Sequence, residues 1–122
     1  PLLDKQKLKW VDVLAYPHLS LQRPAGTRRL IDQALQEKGL LLTPAFESHQ
    51  LVSIGRMVRE GLGLSVVPST SRVQMEEMGL QCRAIGAPVI THQVGIVTRP
   101  QHELSAAAQA LEQLIRAAVS KP

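Results

Sequence analysis

The chain has 122 residues, of which 44% are hydrophobic and 20% charged, and these values predict one globular domain with a single core, not a disordered chain. Its formal net charge is +4, but the basic residues are scattered, and the only aromatic residues are Trp10, Tyr16 and Phe46. Without a basic stripe or a set of stacking aromatic rings, direct nucleic-acid binding by this chain is disfavoured.

Cysteine content and hydropathy restrict the cellular location. Cys82 is the only cysteine, which excludes an internal disulfide, predicts a small core side chain and favours a reducing, cytoplasmic compartment. No apolar run approaches the roughly 20 residues that span a bilayer, and the N-terminus has no signal-peptide pattern, so no membrane association is expected. Because the first residue is Pro1 and not methionine, we expect the chain to be a fragment of a longer protein.

The first half of the chain predicts helices and strands in alternation. Arg28 and Asp32, four residues apart, are placed on the exposed side of the second helix, and Gly39 ends that helix. Apolar residues at helical spacing between Leu51 and Leu62 predict the third helix. In chain order the predicted elements are a basic connector (residues 1–9), a helix (10–15), a strand (18–22), a helix (27–38), a strand (within 40–46), a helix from about residue 48 that is stopped by glycines at 61 and 63, and a buried strand (64–67).

The second half predicts shorter elements and one long terminal helix. Ser105 is predicted as the N-cap of that helix, whose apolar stripe includes Leu111, Leu114 and Ile115. The elements of this half are a helix begun at residue 69 or 70 and stopped at 79, a strand (80–85), a turn (86–88), a strand (92–98), an exposed loop (99–103) and the final helix (105–118).

The order of strands and helices across residues 18–67 predicts parallel strands joined by right-handed crossovers. Three loops then lie at the edge where these strands end: residues 22–27, 47–49 and 68–70. Each loop leads into a helix N-terminus, where free N–H groups and the helix dipole favour a small anion. The alternative is that Thr27, Ser48 and Ser69 only cap their helices.

Enzyme, metal and cofactor signatures are weak in this sequence. Gly61 and Gly63 precede a strand, so they are not the start of a dinucleotide-binding fingerprint, and RPAGTRR lacks the GK[ST] of a phosphate-binding loop. Ser65 is not in a GxSxG elbow, and the four histidines lack HxxxH or HExxH spacing. The sequence therefore predicts no catalytic activity, no metal and no cofactor.

Three segments carry a family resemblance: RPAGTRRLIDQAL, VREGLGLSVVP and VGIVTRPQHELSAAAQALEQLI. In their order and spacing they resemble the C-terminal half of the effector-binding domain of LysR-type transcriptional regulators, and the similarity covers nearly the whole chain. The resemblance implies an α/β fold like one lobe of a type 2 periplasmic binding protein, with a parallel-core sheet flanked by helices. It makes residues 1–91 the second lobe with its leading connector, and residues 92–122 a hinge strand and helix that return to a first lobe absent from this chain.

The same resemblance implies a function. The chain would be the effector-sensing portion of a bacterial regulator that binds a small, anionic metabolite between lobes, contacts DNA only through an N-terminal helix-turn-helix outside this chain, and forms a homo-oligomer. Arg23 and Arg28 either favour an acidic effector or are surface charges. The alternative is a lobe of a solute-binding transport protein, which a signal peptide upstream would favour, and an enzyme using the same strand edge is a third interpretation.

Effector-binding residues follow from the family pattern. One group matches the cleft loop of the second lobe, another the loop after the 64–67 strand, and a serine at a helix start is either a cap or a cleft-facing group. These residues are Pro24, Ala25, Gly26 and Thr27, then Val67, Pro68 and Ser69, and finally Ser48. The terminal helix would ordinarily cover the missing lobe, so we expect its apolar stripe to pack on the second lobe or on a neighbouring chain.

Overall fold

A computed structural model describes residues 2–120. Pro1 of the predicted connector and residues 121–122 after the last helix lie outside this range. The described elements are α1 (Trp10–Leu14), β1 (Leu19–Leu21), α2 (Gly26–Gln36), β2 (Phe46–Ser48), α3 (Leu51–Arg59), a 3₁₀ turn (Ser69–Ser71), α4 (Arg72–Glu77), a second 3₁₀ turn (Gln101–Glu103) and α5 (Ala106–Val119). They form two compact units, residues 1–92 and 93–122. Within the described range, no helix has the length and apolarity that crossing a membrane requires.

The first unit is built on a small parallel sheet. β1 pairs with β2 in parallel register, with Leu19 opposite Phe46 and Leu21 opposite Ser48. On the other side of β1, Leu64 forms a parallel bridge with His18, through hydrogen bonds from Leu19 N to Leu64 O (2.8 Å) and from Leu64 N to Pro17 O (3.0 Å). The predicted parallel arrangement of three successive segments is therefore confirmed, with β1 in the middle.

Several predicted strands are shorter than expected or absent. The strand predicted within residues 40–46 starts only at Phe46, and residues 64–67 and 80–85 each contribute one bridge, Leu64 with His18 and Ile85 with Leu8. The strand prediction for residues 92–98 is wrong, since that segment has no strand assignment. Alternating or apolar sequence marks strand tendency, but a strand exists only where a neighbouring segment accepts its backbone hydrogen bonds.

The helices agree better with the sequence, although three of the proposed caps in the first unit do not. α2 and α3 begin after Ala25 and Gln50, which make no side-chain capping bond, and the turn before α4 follows Pro68. The idea that Thr27, Ser48 and Ser69 act as N-caps is therefore wrong. Gly61 has φ +80 just beyond the end of α3, in agreement with its predicted role as a helix stop, because glycine adopts this conformation without a Cβ clash.

The core of the first unit is aliphatic around one tryptophan. Trp10 from α1 packs with Ile31 and Leu35 from α2 and with Leu42. On the other side, α3 buries Ile54, while Gly55 lies against Met75 and Met78. Cys82 is only partly buried and lies outside the named strands, so its predicted place in a core strand is not observed.

The two ends of the first unit lie side by side. Gly86 N donates to Leu8 O (2.7 Å), the Trp10 indole Nε1 donates to Pro88 O (3.0 Å), and Arg83 donates to the carbonyl oxygens of Leu3 and Lys5. The chain therefore enters and leaves this unit through paired segments.

The second unit consists of an exposed segment, a 3₁₀ turn and α5. Ser105 is the N-cap of α5, as predicted, and its side chain accepts a hydrogen bond from Ala108 N (3.2 Å). The apolar stripe is also present in the helix, but Leu111 and Leu114 are exposed. What covers this stripe, and the assignment of the two units to lobes, stay predictions.

Candidate functional site

A buried arginine links three elements at the end of the sheet. Arg28, in the first turn of α2, is only 2% exposed. Its Nη1 donates to Glu47 Oε1 on β2 (2.7 Å), to Leu21 O on β1 (3.1 Å) and to Ser20 Oγ (3.2 Å). Its Nε donates to the Asp32 carboxylate at 3.0 and 3.1 Å. The guanidinium group therefore holds the start of α2 against both strands.

The charge of Arg28 is stabilised where it lies. Burial acts to lower the pKa of Arg28, but hydrogen bonds to Asp32 and Glu47 and the charges of these carboxylates outweigh burial, so the pKa is raised above its ordinary value. The sequence prediction that placed Arg28 on the exposed side of α2 is wrong. Because its Nε and Nη1 are already engaged by protein groups, these donors of Arg28 serve a structural role and are not free to anchor an acidic ligand.

A neutral histidine lies close to this cation. His18 is 2% exposed, and within residues 2–120 its buried Nδ1 has no hydrogen-bond partner. Burial, and after it the positive charge of Arg28, lower the pKa of His18 to about 4. The imidazole is therefore uncharged near pH 7.

Arg28 and its partners Ser20, Asp32 and Glu47 form what we call the Arg28 cluster. A solvent-open cavity of about 530 Å³ borders this cluster. It contains groups of both signs, since Arg23 and Glu47 both line it, and Arg23 Nε is 3.5 Å from Asp32 Oδ2. We call it the strand-edge cavity. Its lining residues are Gln22, Arg23, Pro24, Arg28, Leu41, Leu42, Thr43, Pro44 and Glu47.

A second open cavity of about 240 Å³ lies on the other side of α2. We call it the outer cavity, and its lining residues are Gly26, Arg29, Leu30, Gln33 and His92. This lining contains no carboxylate. In the part of the chain that the structure describes, no group of three or more His, Cys, Asp or Glu side chains could hold a metal ion.

The predicted site residues are distributed over these features. Pro24 lines the strand-edge cavity and Gly26 the outer cavity, while Ala25 precedes α2 and Thr27 lies half-buried in its first turn. The loop at Ser48 meets the loop at Gln22, because Gln22 N donates to Ser48 O (3.1 Å). Ser48 Oγ also accepts a hydrogen bond from Gln50 N (3.2 Å).

The third predicted loop is less closely tied to the other two. Val67 and Pro68 are half-buried and Ser69 is exposed at the start of a 3₁₀ turn. Across residues 2–120 no side-chain hydrogen bond joins these three residues to the loops at Gln22 and Ser48. The structure therefore brings the first two loops together and leaves the part played by the third a prediction.

Comparison with known protein families gives a match over nearly the whole chain. Residues 1–120 match the model described as LysR substrate binding domain. The chain belongs to this family. The resemblance seen in the sequence is thus confirmed, and it extends from the connector to the end of α5.

Relatives of this LysR-family chain are transcriptional regulators. It is 29% identical to the uncharacterized HTH-type transcriptional regulator YbhD of Escherichia coli, over 89% of this chain and 34% of the relative. It is 32% identical to the transcriptional activator protein LysR of Escherichia coli (88% of this chain, 34% of the relative). A probable nitrogen assimilation transcriptional activator of Synechococcus elongatus is 29% identical (86% and 34%). The chain spans about a third of the length of these relatives.

Sequence reasoning missed the Arg28 cluster in this LysR-family domain. A signal was present, because Ser20 is a polar residue inside a three-residue strand whose neighbours are leucines, and a buried hydroxyl requires a partner. The i,i+4 spacing of Arg28 and Asp32 by itself is typical of a surface ion pair. In the structure the Arg28 guanidinium is buried and the Asp32 carboxylate is partly exposed. The spacing alone therefore does not distinguish a surface pair from a buried one.

Proposed function

We propose that this chain is the effector-sensing portion of a bacterial LysR-type transcriptional regulator. It binds a small anionic metabolite and contacts DNA only through a helix-turn-helix outside these residues, in a cytoplasmic homo-oligomer, without catalysis. The observation that supports this proposal most directly is the match of residues 1–120 to the LysR substrate binding domain. The regulator names of the relatives support it further.

The proposed fold is one lobe of a type 2 periplasmic-binding-protein-like domain. Residues 1–91 form the second lobe with its connector, and residues 92–122 return as a hinge segment and helix to the first lobe. Support comes from the parallel arrangement of β1, β2 and Leu64 and from the helices that join them, which are the elements such a lobe requires.

The proposed effector site lies at the strand ends, in the cleft between lobes. It consists of Pro24, Ala25, Gly26, Thr27, Ser48, Val67, Pro68 and Ser69. Ala25 offers no side-chain cap to α2, so the first N–H groups of this helix are available to an anionic group of the ligand. The Arg28 cluster fixes the loops at Gln22 and Ser48 through its hydrogen bonds to Leu21 and Glu47. Effector binding then shifts the arrangement of lobes or subunits and alters DNA contacts made elsewhere.

The experiment uses the full-length native protein that contains these residues. Its melting temperature is measured with a panel of carboxylate and phosphate metabolites, and its binding to its own upstream DNA is measured with those that raise the melting temperature. We expect at least one to change DNA affinity. A panel that stabilises the protein and leaves DNA binding unchanged would contradict the regulatory role.

Two variants test the site itself. Gly26→Val and Thr27→Trp should weaken the response to the effector by about tenfold or more while the protein stays folded, because a Cβ at Gly26 meets no atom within 4 Å and a bulky group at residue 27 occludes the loop. Gly95→Val is the matched control, since Gly95 is equally unhindered and lies outside the three loops. Equal effector affinity in all three variants would argue against this loop.

A further inference from the structure

The outer cavity has a lining unlike that of the strand-edge cavity. Arg29, Gln33 and His92 each bring a side-chain N–H donor to it, and Leu30 adds an apolar wall. The strand-edge cavity, by contrast, holds the Glu47 carboxylate beside Arg23. An anion in the outer cavity would therefore meet donors and a positive charge and no competing carboxylate in the lining.

These donors are unoccupied. Within residues 2–120, the side chains of Arg29, Gln33 and His92 make no hydrogen bond and no ion pair. Arg28, one residue earlier, has its Nε and Nη1 engaged by Asp32, Glu47, Ser20 and Leu21. Arg29 can thus pair with an incoming anion without first giving up a partner of its own.

Helix geometry explains why the lining groups meet. Gly26, Arg29, Leu30 and Gln33 recur at spacings of three and four residues, so they share one face of α2. Gly26 leaves this face open at its upper end, since a Cβ there would meet no atom within 4 Å. His92, the last residue of the first unit, completes the lining of the cavity.

We propose that the outer cavity binds the carboxylate or phosphate group of a small ligand. Arg29 supplies the charge and a pair of donors, the Gln33 amide and the His92 ring supply further donors, and Leu30 contacts the carbon skeleton. At about 240 Å³ the cavity is below the usual range for drug-sized ligands and accepts a compact anion. This inference rests on the proposed function in so far as it names the position of the anionic group of the effector, since Gly26 belongs to both sites.

The test measures oxyanion binding without DNA. Isothermal titration of the full-length native protein uses inorganic phosphate in one arm and succinate in the other, at low ionic strength with sodium chloride as the matched blank, because salt screens such contacts. We expect saturable binding of at least one probe. Binding of phosphate alone assigns a phosphorylated ligand, and binding of succinate alone assigns a carboxylate.

Charge-altering variants connect that binding to the cavity. Gln33→Glu places a carboxylate in the lining and Arg29→Gln removes its charge, and each should weaken probe binding about tenfold, whereas Arg29→Lys should retain most of it. Gln36→Glu is the control for the first variant, because it makes the same change on an exposed position of the same helix outside the cavity. Arg59→Gln is the control for the second, since it removes one exposed positive charge from α3. Neither control should alter binding.

Two results would overturn the inference: failure of both probes to bind, or binding that is the same in Gln33→Glu, Arg29→Gln and the controls. Its failure is distinct from failure of the proposed function. A protein that still regulates DNA binding through a metabolite but shows no Arg29-dependent oxyanion binding rejects the outer cavity alone. A protein that binds oxyanions through Arg29 without any effect of metabolites on DNA rejects the regulatory role alone.

Discussion

The two faces of α2 each carry an arginine, one buried and one exposed. Arg28 faces the sheet, is 2% exposed and donates to groups from β1, β2 and its own helix. Arg29 is exposed and borders the outer cavity with no side-chain partner in residues 2–120. A rotation of about 100° per residue separates the two side chains. The comparison shows that one arginine is used for holding strands together and the next is available for binding.

The largest expected effect is at Arg28. Replacing Arg28 with Ala should lower the free energy of unfolding by about 3 kcal/mol, because it removes a buried cation and leaves Ser20, Asp32 and Glu47 without their donor. The change is measured by urea denaturation of the full-length protein.

Arg29→Ala is the matched control for this measurement, since it removes the same side chain from the other face of α2. Its effect should be within about 0.5 kcal/mol, the usual range for exposed positions. Similar losses for both variants would show that the two faces do not differ as described.

A second, smaller effect is the pH dependence of stability that His18, near Arg28, produces. The pKa of His18 is lowered to about 4 from 6.5 in the folded protein, so between these values the unfolded state binds more protons and stability falls as the pH falls. Between pH 7 and pH 5 the loss from this group should reach about 2 kcal/mol. Denaturation curves at several pH values measure it.

The variant His18→Leu separates this histidine from all other titrating groups. Subtracting its pH profile from that of the unaltered protein should leave a decline below about pH 6.5. If the two profiles run parallel, His18 is not held neutral by its surroundings.

The smallest expected effect is at the exposed end of the Arg28 cluster. Glu47→Gln keeps an oxygen that accepts from Arg28 Nη1 but removes the negative charge, and the Glu47 side chain is 40% exposed. Solvent screening therefore limits the loss of unfolding free energy to about 1 kcal/mol. Glu60→Gln, an exposed substitution at the end of α3, serves as control, and a loss no larger than that of the control would place Glu47 outside the cluster.

Helix positions could be predicted from the sequence because their signals are local. The apolar spacing from Leu51 onward, the glycine at 61 and the serine at 105 each act within a few residues of the helix that they define. α3 and α5 accordingly occur where they were predicted. The parallel order of the first strands could also be predicted, since it follows from connectivity.

The lengths of the strands and the burial of Arg28 on the inner face of α2 depend on contacts between residues far apart in the sequence. Residues 64–67 and 80–85 have strand-like composition, yet only Leu64 and Ile85 pair with another segment. Glu47 reaches Arg28 from 19 residues away, a distance at which no helical or strand periodicity relates two side chains. The site residues at Pro24–Thr27 follow from the family resemblance. That Arg29, Gln33 and His92 line one cavity depends on the fold and has no local signal in the sequence.

The single tryptophan gives this domain a built-in optical reporter. Trp10 is 2% exposed, and its indole nitrogen donates to Pro88 O, where the incoming and outgoing segments of the first unit run together. If ligand binding separates these segments, water reaches the indole, and its emission moves to longer wavelength. The fluorescence of this one side chain therefore reports whether the two segments stay joined, without any label attached to the protein.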